Sequence, residues 1–283
     1  MAACGEKKNE DKKITASATV ESFPQKSENT PSSIDKSSTL YVGVLDYSMP
    51  LSDATPDSLT NKRGIYVDIA EDMARLLGKK LHLYFEKDYF FERPIRKGLL
   101  SGNCQIQLGI ADPKREFIRK NKAVPTIPYM SIGYTLVLPK NTLINKIEDL
   151  RGKKVSFLSG SPPQTTLLLL ESKLEPVVTD AKALDLLDRG LVDAAFIWGP
   201  KAGYLNKFKY NRKFIVLKTP IVWDVVMGLK VEDLKLKEEL QKRFSELKRN
   251  IKKLEEEYGM HTDKSMSISN KWLPEQLRSK NSL

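Results

Sequence analysis

The chain has 283 residues, a net charge of +11 and 40% hydrophobic residues, which is enough apolar material for one or two domains. Its two Cys and two His are too few for a disulfide framework, a zinc module or a c-type haem site. No stretch approaches the roughly 18 consecutive apolar residues of a membrane-spanning helix, so the sequence predicts a basic, globular protein that does not span a bilayer.

The N-terminal segment, residues 1–38, is polar and contains six Lys and six acidic residues. Such a composition buries too little apolar surface to offset its ordering entropy, so we expect a disordered tether. The opening Met1-Ala2-Ala3-Cys4-Gly5 resembles the end of a bacterial lipoprotein signal, in which the peptide is cut before the Cys and the thiol is lipidated. Cys4 is therefore a predicted lipid anchor to a membrane, and the alternative is a chance Cys in a disordered start.

The next part of the chain alternates between apolar runs and helical periodicity. A helix is predicted over residues 64–78, because Ile65, Ile69 and Met73 share one face and Gly78 supplies the stop. The other predicted elements are strands at 40–45, 81–85 and 105–110 and a helix at 90–100. Alternating strands and helices imply a parallel α/β sheet.

The same alternation continues after residue 134. The predicted elements are strands at 134–138, 154–159, 176–179, 194–198 and 214–217 and helices at 163–170 and 181–189. The chain then returns toward the first unit through residues 222–227. Residues 232–258 have apolar positions three or four apart and eight bases against eight acids, which favours a helix packed on the body over a membrane-surface helix.

The positive charge is concentrated in residues 134–219, where 14 Lys and Arg against 8 Asp and Glu give +6. A local cluster on a predicted loop consists of Lys207, Lys209, Arg212 and Lys213. One interpretation is a docking face for an acidic protein partner, because such a field mainly accelerates association. The other is an ordinary solvated surface. No RNA-binding or helix-turn-helix signature accompanies the charge, so no nucleic-acid partner is expected.

The order of elements, with one unit entered, left and re-entered by the chain, resembles that of the type 2 periplasmic substrate-binding proteins (solute-binding protein family 3). The segments that carry the resemblance are residues 64–78, 149–160 and 187–195. The resemblance implies an α/β fold of two lobes with a central cleft and hinge crossovers near residues 134–138 and 218–222. The implied lobes are residues 39–133 plus 220–283 for lobe 1 and residues 134–219 for lobe 2.

Four shorter runs are similar to the MxaJ/XoxJ-type proteins, which are encoded beside quinoprotein (PQQ-dependent) methanol dehydrogenases. They are residues 101–109, 126–129 and 224–228 and, most specific of the four, the run Trp198-Gly199-Pro200-Lys201-Ala202-Gly203-Tyr204. The resemblance implies a non-catalytic periplasmic accessory protein whose partner is the dehydrogenase or its c-type cytochrome. The alternative is the solute-binding component of an ABC importer with a non-amino-acid ligand. An enzyme such as the dehydratases built on this fold comes third, because no paired acid and base stands out.

The resemblance also implies where a ligand would bind. In the relatives an Arg and backbone N–H groups hold the carboxylate of an amino acid, and Arg115 takes the Arg position here. Pro162 and Pro163 have no N–H to donate, and Trp198 replaces the acid that holds the ammonium, so we expect amino-acid binding to be lost. The expected cleft residues are Asp46, Tyr47, Leu51, Arg115, Tyr129, Ser159, Gly160, Ser161, Trp198 and Trp223. No catalytic residue, metal or cofactor is expected.

Overall fold

The computed structural model describes residues 37–46, 49–87, 94–111, 120, 122–260 and 262–278. Almost all of the predicted tether lies outside these described residues, and so do the lipidation site Cys4 and the cleft candidates Tyr47 and Arg115. Those assignments stay predictions.

The first half of the fold follows the predicted alternation. Its elements are β1 (Thr39–Leu45), α1 (Ile65–Leu76), β2 (Lys80–Glu86), a π-helix (Pro94–Leu100), β3 (Ile106–Ala111), β4 (Ala123–Pro125) and β5 (Met130–Pro139). The predicted strands at 40–45, 81–85 and 105–110 and the helix at 64–78 are confirmed. The helix predicted from residue 90 is helical over the described residues 94–100.

The second half contains two α-helices that the sequence did not predict, α4 and the short α6. Its elements are a 3₁₀ turn (Ile147–Leu150), β6 (Lys154–Leu158), α2 (Pro163–Leu169), β7 (Lys173–Val177), α3 (Asp180–Asp188), β8 (Ala194–Trp198), α4 (Gly199–Phe208) and β9 (Phe214–Lys230). The chain continues with a 3₁₀ turn (Val231–Asp233), α5 (Leu234–Glu257), β10 (Lys264–Ser265), a 3₁₀ turn (Asn270–Trp272) and α6 (Glu275–Arg278).

The strands form one sheet in the order β2-β1-β3-β9-β5-β8-β6-β7, and β4 and β10 also pair with β9. Strand β1 is parallel to β2 and β3, and β6 is parallel to β7 and β8. Strands β5 and β9 run antiparallel to each other between these two parallel sets. The fold is therefore α/β with two lobes, the first carrying β1–β3 and the second carrying β6–β8, and β5 and β9 are the crossovers.

Strand β9 differs from its prediction. Residues 214–217 and 222–227 were expected to be separate segments, and they belong to one strand of 17 residues. Pairing with β5 shifts register between Gly133, opposite Val222, and Thr135, opposite Lys218. The residues skipped on β9 include Pro220, which cannot donate to a ladder and is tolerated in strands at such irregularities.

The C-terminal segment contacts the second lobe, although it was expected to belong to the first. The backbone N–H of Asp263 donates to the Val216 carbonyl at 2.9 Å, and β10 pairs with β9 at Leu217 and Lys218. The apolar side chains that join the second-lobe core beside Phe157 and Phe196 are Met266, Ile268 and Leu273. Residues 262–278 therefore add apolar side chains to the core of the second lobe. The predicted lobe boundaries stay predictions.

The long helix α5 packs on the body as predicted. Its buried stripe consists of Leu236, Leu240, Phe244, Leu247 and Ile251. The Tyr258 hydroxyl, just after its end, donates to Asp68 on α1 at 3.0 Å. Within the described residues, every helix is either too short or too polar to cross a bilayer.

Candidate ligand-binding cleft

The candidate site lies at the carboxyl ends of the parallel strands. Strands β6, β7 and β8 are parallel, so the loop Ser159-Gly160-Ser161, the start of α3 and Trp198 lie at one edge of the second lobe. The loop after β1 leaves the corresponding edge of the first lobe. In open α/β sheets, ligands bind in the crevice outside these carboxyl ends.

Three aromatic side chains form a wall where β8 meets the crossovers. The ring centroids of Tyr134 and Trp198 are 5.2 Å apart, those of Tyr134 and Trp223 are 6.0 Å apart, and those of the two Trp are 6.3 Å apart. All three are half-buried. The buried Trp198 Nε1 and the buried Ser161 Oγ find no hydrogen-bond partner within the described residues. We call Tyr134, Trp198 and Trp223 the aromatic wall.

Asp180, at the start of α3, is an acidic group at this edge that the sequence analysis missed. Its Oδ1 accepts a hydrogen bond from the Trp198 backbone N–H at 3.3 Å. Burial raises the pKa of Asp180, against the opposing effects of that hydrogen bond and of Lys201. In the sequence, Asp180 comes directly after a predicted strand, which is a position typical of site residues. An acidic residue that only begins a helix has the same position, so the two could not be told apart.

Replacing Asp180 by Asn is expected to raise the free energy of unfolding at pH 7. A raised pKa means that the folded state favours the protonated form, so the stability of the native protein falls as pH rises through the window above the ordinary value of 3.8. Asn mimics that protonated form and keeps an acceptor for Trp198.

Urea denaturation at pH 7 and at about pH 3 measures the effect, which should vanish at the lower pH. The control is Asp185→Asn on the same helix, where the carboxylate makes only an exposed pair with Lys182 at 3.5 Å. Its effect should stay below about 0.5 kcal/mol at both pH values. A larger gain from the control would show that Asp180 has no special burial cost.

Lys201 joins the two lobes directly. Its Nζ, extending from the first turn of α4, donates to the Met49 carbonyl in the loop after β1 at 3.0 Å. Burial lowers the pKa of Lys201, while Asp57, Asp180 and Asp53, in that order, oppose the shift. The ammonium therefore lies in a partly desolvated, acidic part of the cleft.

Tyr204, one turn further along α4, makes a second connection. It is 1% exposed, and its hydroxyl hydrogen-bonds Asp57 Oδ2 at 2.5 Å and Thr60 Oγ1 at 3.1 Å, both in the first lobe. Burial and Asp57 raise its pKa to about 12, so the hydroxyl keeps its proton at neutral pH. We call Lys201 and Tyr204, with their first-lobe partners, the lobe latch.

Two glycines of the same run allow α4 to approach its neighbours. A Cβ added to Gly203 would lie 2.0 Å from the Gly259 carbonyl oxygen, and one added to Gly199 would lie 2.7 Å from the Gly133 carbonyl oxygen. Any side chain at these positions would push the helix away from the end of α5 and from β5. The run from Trp198 to Tyr204 therefore forms a continuous contact surface between the lobes.

Several of the predicted cleft residues make contacts within the protein. Asp46 accepts the Ala54 backbone N–H at 2.8 Å. Leu51 is buried in the core, and Tyr129 is buried with its hydroxyl accepting the Gly109 N–H at 3.0 Å. In the second lobe, the Gly160 N–H donates to the side chain of Gln164 at 3.0 Å, so this backbone donor is already used.

The predicted docking residues also differ from one another. Lys207 lies in α4 rather than on a loop, and its Nζ donates to the carbonyls of Glu256 and Glu257 at 2.9 and 2.7 Å. Lys213 pairs with Asp188 at 2.6 Å. Lys209 and Arg212 are exposed, and neither side chain makes a hydrogen bond or ion pair within the part of the chain that the structure describes.

No protein-family model matches the sequence, and no curated protein is similar to it. Solved structures do match. The L-cystine solute receptor of Neisseria gonorrhoeae, in an unliganded open conformation, has 19% identity over 80% of this chain and 94% of its own, with a TM-score of 0.64. Substrate-binding domain 2 of GlnP from Lactococcus lactis has 18% identity over 81% and 98%, with a TM-score of 0.65.

A third match is an ancestral cationic amino acid solute-binding protein, with 23% identity over 78% of this chain and 95% of its own and a TM-score of 0.63. At such identities the likeness bears on the fold. The sheet order, the paired crossovers and these three structures agree. The chain therefore has the two-lobe fold of periplasmic solute-binding proteins.

Proposed function

We propose that the protein is a non-catalytic solute-binding protein of the periplasm that delivers its ligand to an ABC importer. The observation that carries this proposal is the aromatic wall, together with two buried donors at this edge of the second lobe, Trp198 Nε1 and Ser161 Oγ, that have no partner among the described residues. Buried polar groups almost always have a partner, so an acceptor on a bound solute would complete this site. The fold, whose solved examples include solute receptors, supports the same role.

The ligand that suits this wall has a flat or apolar body and at least one acceptor oxygen. Three clustered rings offer a large apolar area with defined stacking geometry. An amino-acid carboxylate is poorly served in the second lobe, because Pro162 and Pro163 lack N–H groups and Gly160 donates to Gln164. We therefore propose a ligand that is not an amino acid.

Intrinsic fluorescence tests the site, because two of the three Trp residues belong to the aromatic wall. Trp272, whose Nε1 donates to Glu148 at 3.2 Å, would be replaced by Phe to remove background. In this Trp272→Phe protein, a solute with an aromatic or apolar body and a carbonyl or hydroxyl group should shift the emission of Trp198 and Trp223. The shift and the binding should be lost in Trp198→Phe.

The twenty common amino acids form the comparison panel. We expect no calorimetric binding tighter than the millimolar range, which corresponds to about −4 kcal/mol. Micromolar binding of any amino acid would overturn the proposed ligand class. Binding that survived Trp198→Phe would also place recognition on groups outside the aromatic wall.

A second candidate is an accessory protein of a PQQ-dependent methanol dehydrogenase, held at a membrane by a lipid on Cys4. The observation that favours it is the lobe latch, since Lys201 and Tyr204 connect the lobes through the protein's own side chains. A protein that only docks on the dehydrogenase or its c-type cytochrome does not need to open. Surface plasmon resonance against each purified partner separates the candidates, and salt-sensitive binding that Arg212→Glu slows would support docking.

A further inference from the structure

A cavity lies away from the aromatic wall, along the C-terminal half of α4. It has a volume of about 470 Å³ and is bounded by α4, by β9 and by the turn after α5. Three cationic side chains line it, namely Lys140, Lys207 and Arg212. Its lining begins at Gly203, so about 7 Å of helix separates the nearest edge of this cavity from Trp198. We call it the basic cavity.

Lys207 and Arg212 in the lining of the basic cavity are close enough to repel one another. Burial, and then the positive charge of Arg212, lower the pKa of Lys207, while Glu257 and Glu256 act against the shift. The Lys207 ammonium is held in place by the two carbonyls at the end of α5. Two neighbouring cations without a carboxylate bound to either leave a position where an anion would be stabilised.

The loop that carries Arg212 is held in an uncommon backbone conformation. Asn211 and Arg212 have φ values of 48° and 55°, in the left-handed region that non-glycine residues adopt uncommonly. The buried Asn206 fixes this loop, since its side chain bonds both the N–H and the carbonyl of Phe214 at 3.0 Å. Its own carbonyl accepts the Arg212 N–H at 2.6 Å. These hydrogen bonds of Asn206 hold the Arg212 backbone beside the cavity.

Two acidic residues also line the basic cavity, Asp263 and Glu256. Asp263 Oδ2 already accepts the Val216 backbone N–H at 2.7 Å. Three cations against two acids leave the lining net positive. Neither acid makes an ion pair with Arg212 or Lys140 among the described residues.

We propose that the basic cavity binds a small organic polyanion, one that carries two or more carboxylate or phosphate groups. The volume lies within the roughly 300–1,000 Å³ typical of small-molecule sites and exceeds what a single inorganic ion fills. The Arg212 guanidinium can hold one anionic group through two parallel N–H bonds, while Lys207 and Lys140 act as point charges. This site is independent of the cleft ligand.

Calorimetry of the purified full chain with citrate and with pyrophosphate tests the proposal. Arg212→Gln and Lys140→Gln should each weaken binding at least about tenfold, because each removes a charge-assisted contact. The matched control is Lys209→Gln, which removes the same charge from an exposed neighbour outside the lining and should change affinity less than about twofold. Thermal unfolding of all three variants verifies that they fold.

The two probes distinguish the chemistry. Binding of citrate alone identifies a carboxylate ligand, and binding of pyrophosphate alone identifies a phosphate ligand. The proposal is overturned if neither probe binds, if Lys209→Gln weakens binding as much as Arg212→Gln, or if binding persists unchanged in both cavity variants. The aromatic-wall variant Trp198→Phe should leave polyanion binding unchanged, so failure of the cleft proposal does not affect this result.

Discussion

Replacing Gly203 by Ala is expected to lower the free energy of unfolding by about 3 kcal/mol. The added Cβ would lie 2.0 Å from the Gly259 carbonyl oxygen, which is backbone and cannot rotate away as a side chain can. Helix α4 would have to move off the end of α5 and strain the lobe latch. Urea denaturation followed by circular dichroism gives the change.

An exposed helix position in the same chain supplies the control for Gly203→Ala. Ser245 lies on the solvent face of α5, so Ser245→Ala should be more stable than Ser245→Gly by about 1 kcal/mol, the usual preference of a helix for Ala. The two sites should therefore respond to Gly and Ala in opposite directions. A gain in stability for Gly203→Ala would mean that α4 does not pack against Gly259.

Replacing Tyr204 by Phe is expected to cost about 1–2 kcal/mol, because Asp57 and Thr60 lose the hydroxyl to which they hydrogen-bond. The matched control is Tyr210→Phe, at a half-buried ring whose hydroxyl has no partner within the described residues and should be lost at almost no cost. Combining Tyr204→Phe with Lys201→Met removes all three hydrogen bonds of the lobe latch.

The double variant should also separate the lobes. Small-angle X-ray scattering is expected to show a larger radius of gyration for Tyr204→Phe with Lys201→Met than for the native chain, while Tyr210→Phe matches the native value. An unchanged radius in the double variant would contradict the latch. It would leave the packing of Gly203 on Gly259 as the contact that holds the lobes together.

The fold was predictable wherever burial follows local pattern. The β1 run and the 64–78 helix were predicted because apolar residues recur at the periods of a strand and a helix. Helix α4 was missed, because Gly199, Pro200 and Gly203 argue against a helix and its apolar positions give little one-sided pattern. It forms because those small residues let it pack closely on Gly133 and Gly259.

The cleft was less predictable, because its contacts join residues that are distant in the sequence. The contact from Lys201 to Met49 spans 152 positions, and that from Tyr204 to Asp57 spans 147. No local spacing encodes such pairs. Trp198 was predicted as part of the cleft, and the structure places it in the aromatic wall beside Trp223. Leu51 and Tyr129 were harder to assign, since an apolar residue of the core and one of a cleft look alike in a sequence.

The position of residues 262–278 has a consequence for a chain that lacks them. The core of the second lobe takes Met266, Ile268 and Leu273 from the end of the described chain, after every element of the first lobe. A chain cut after residue 260 would therefore keep every strand from β6 to β8 and still leave the apolar face around Phe157 uncovered. Such a face invites aggregation or chaperone binding.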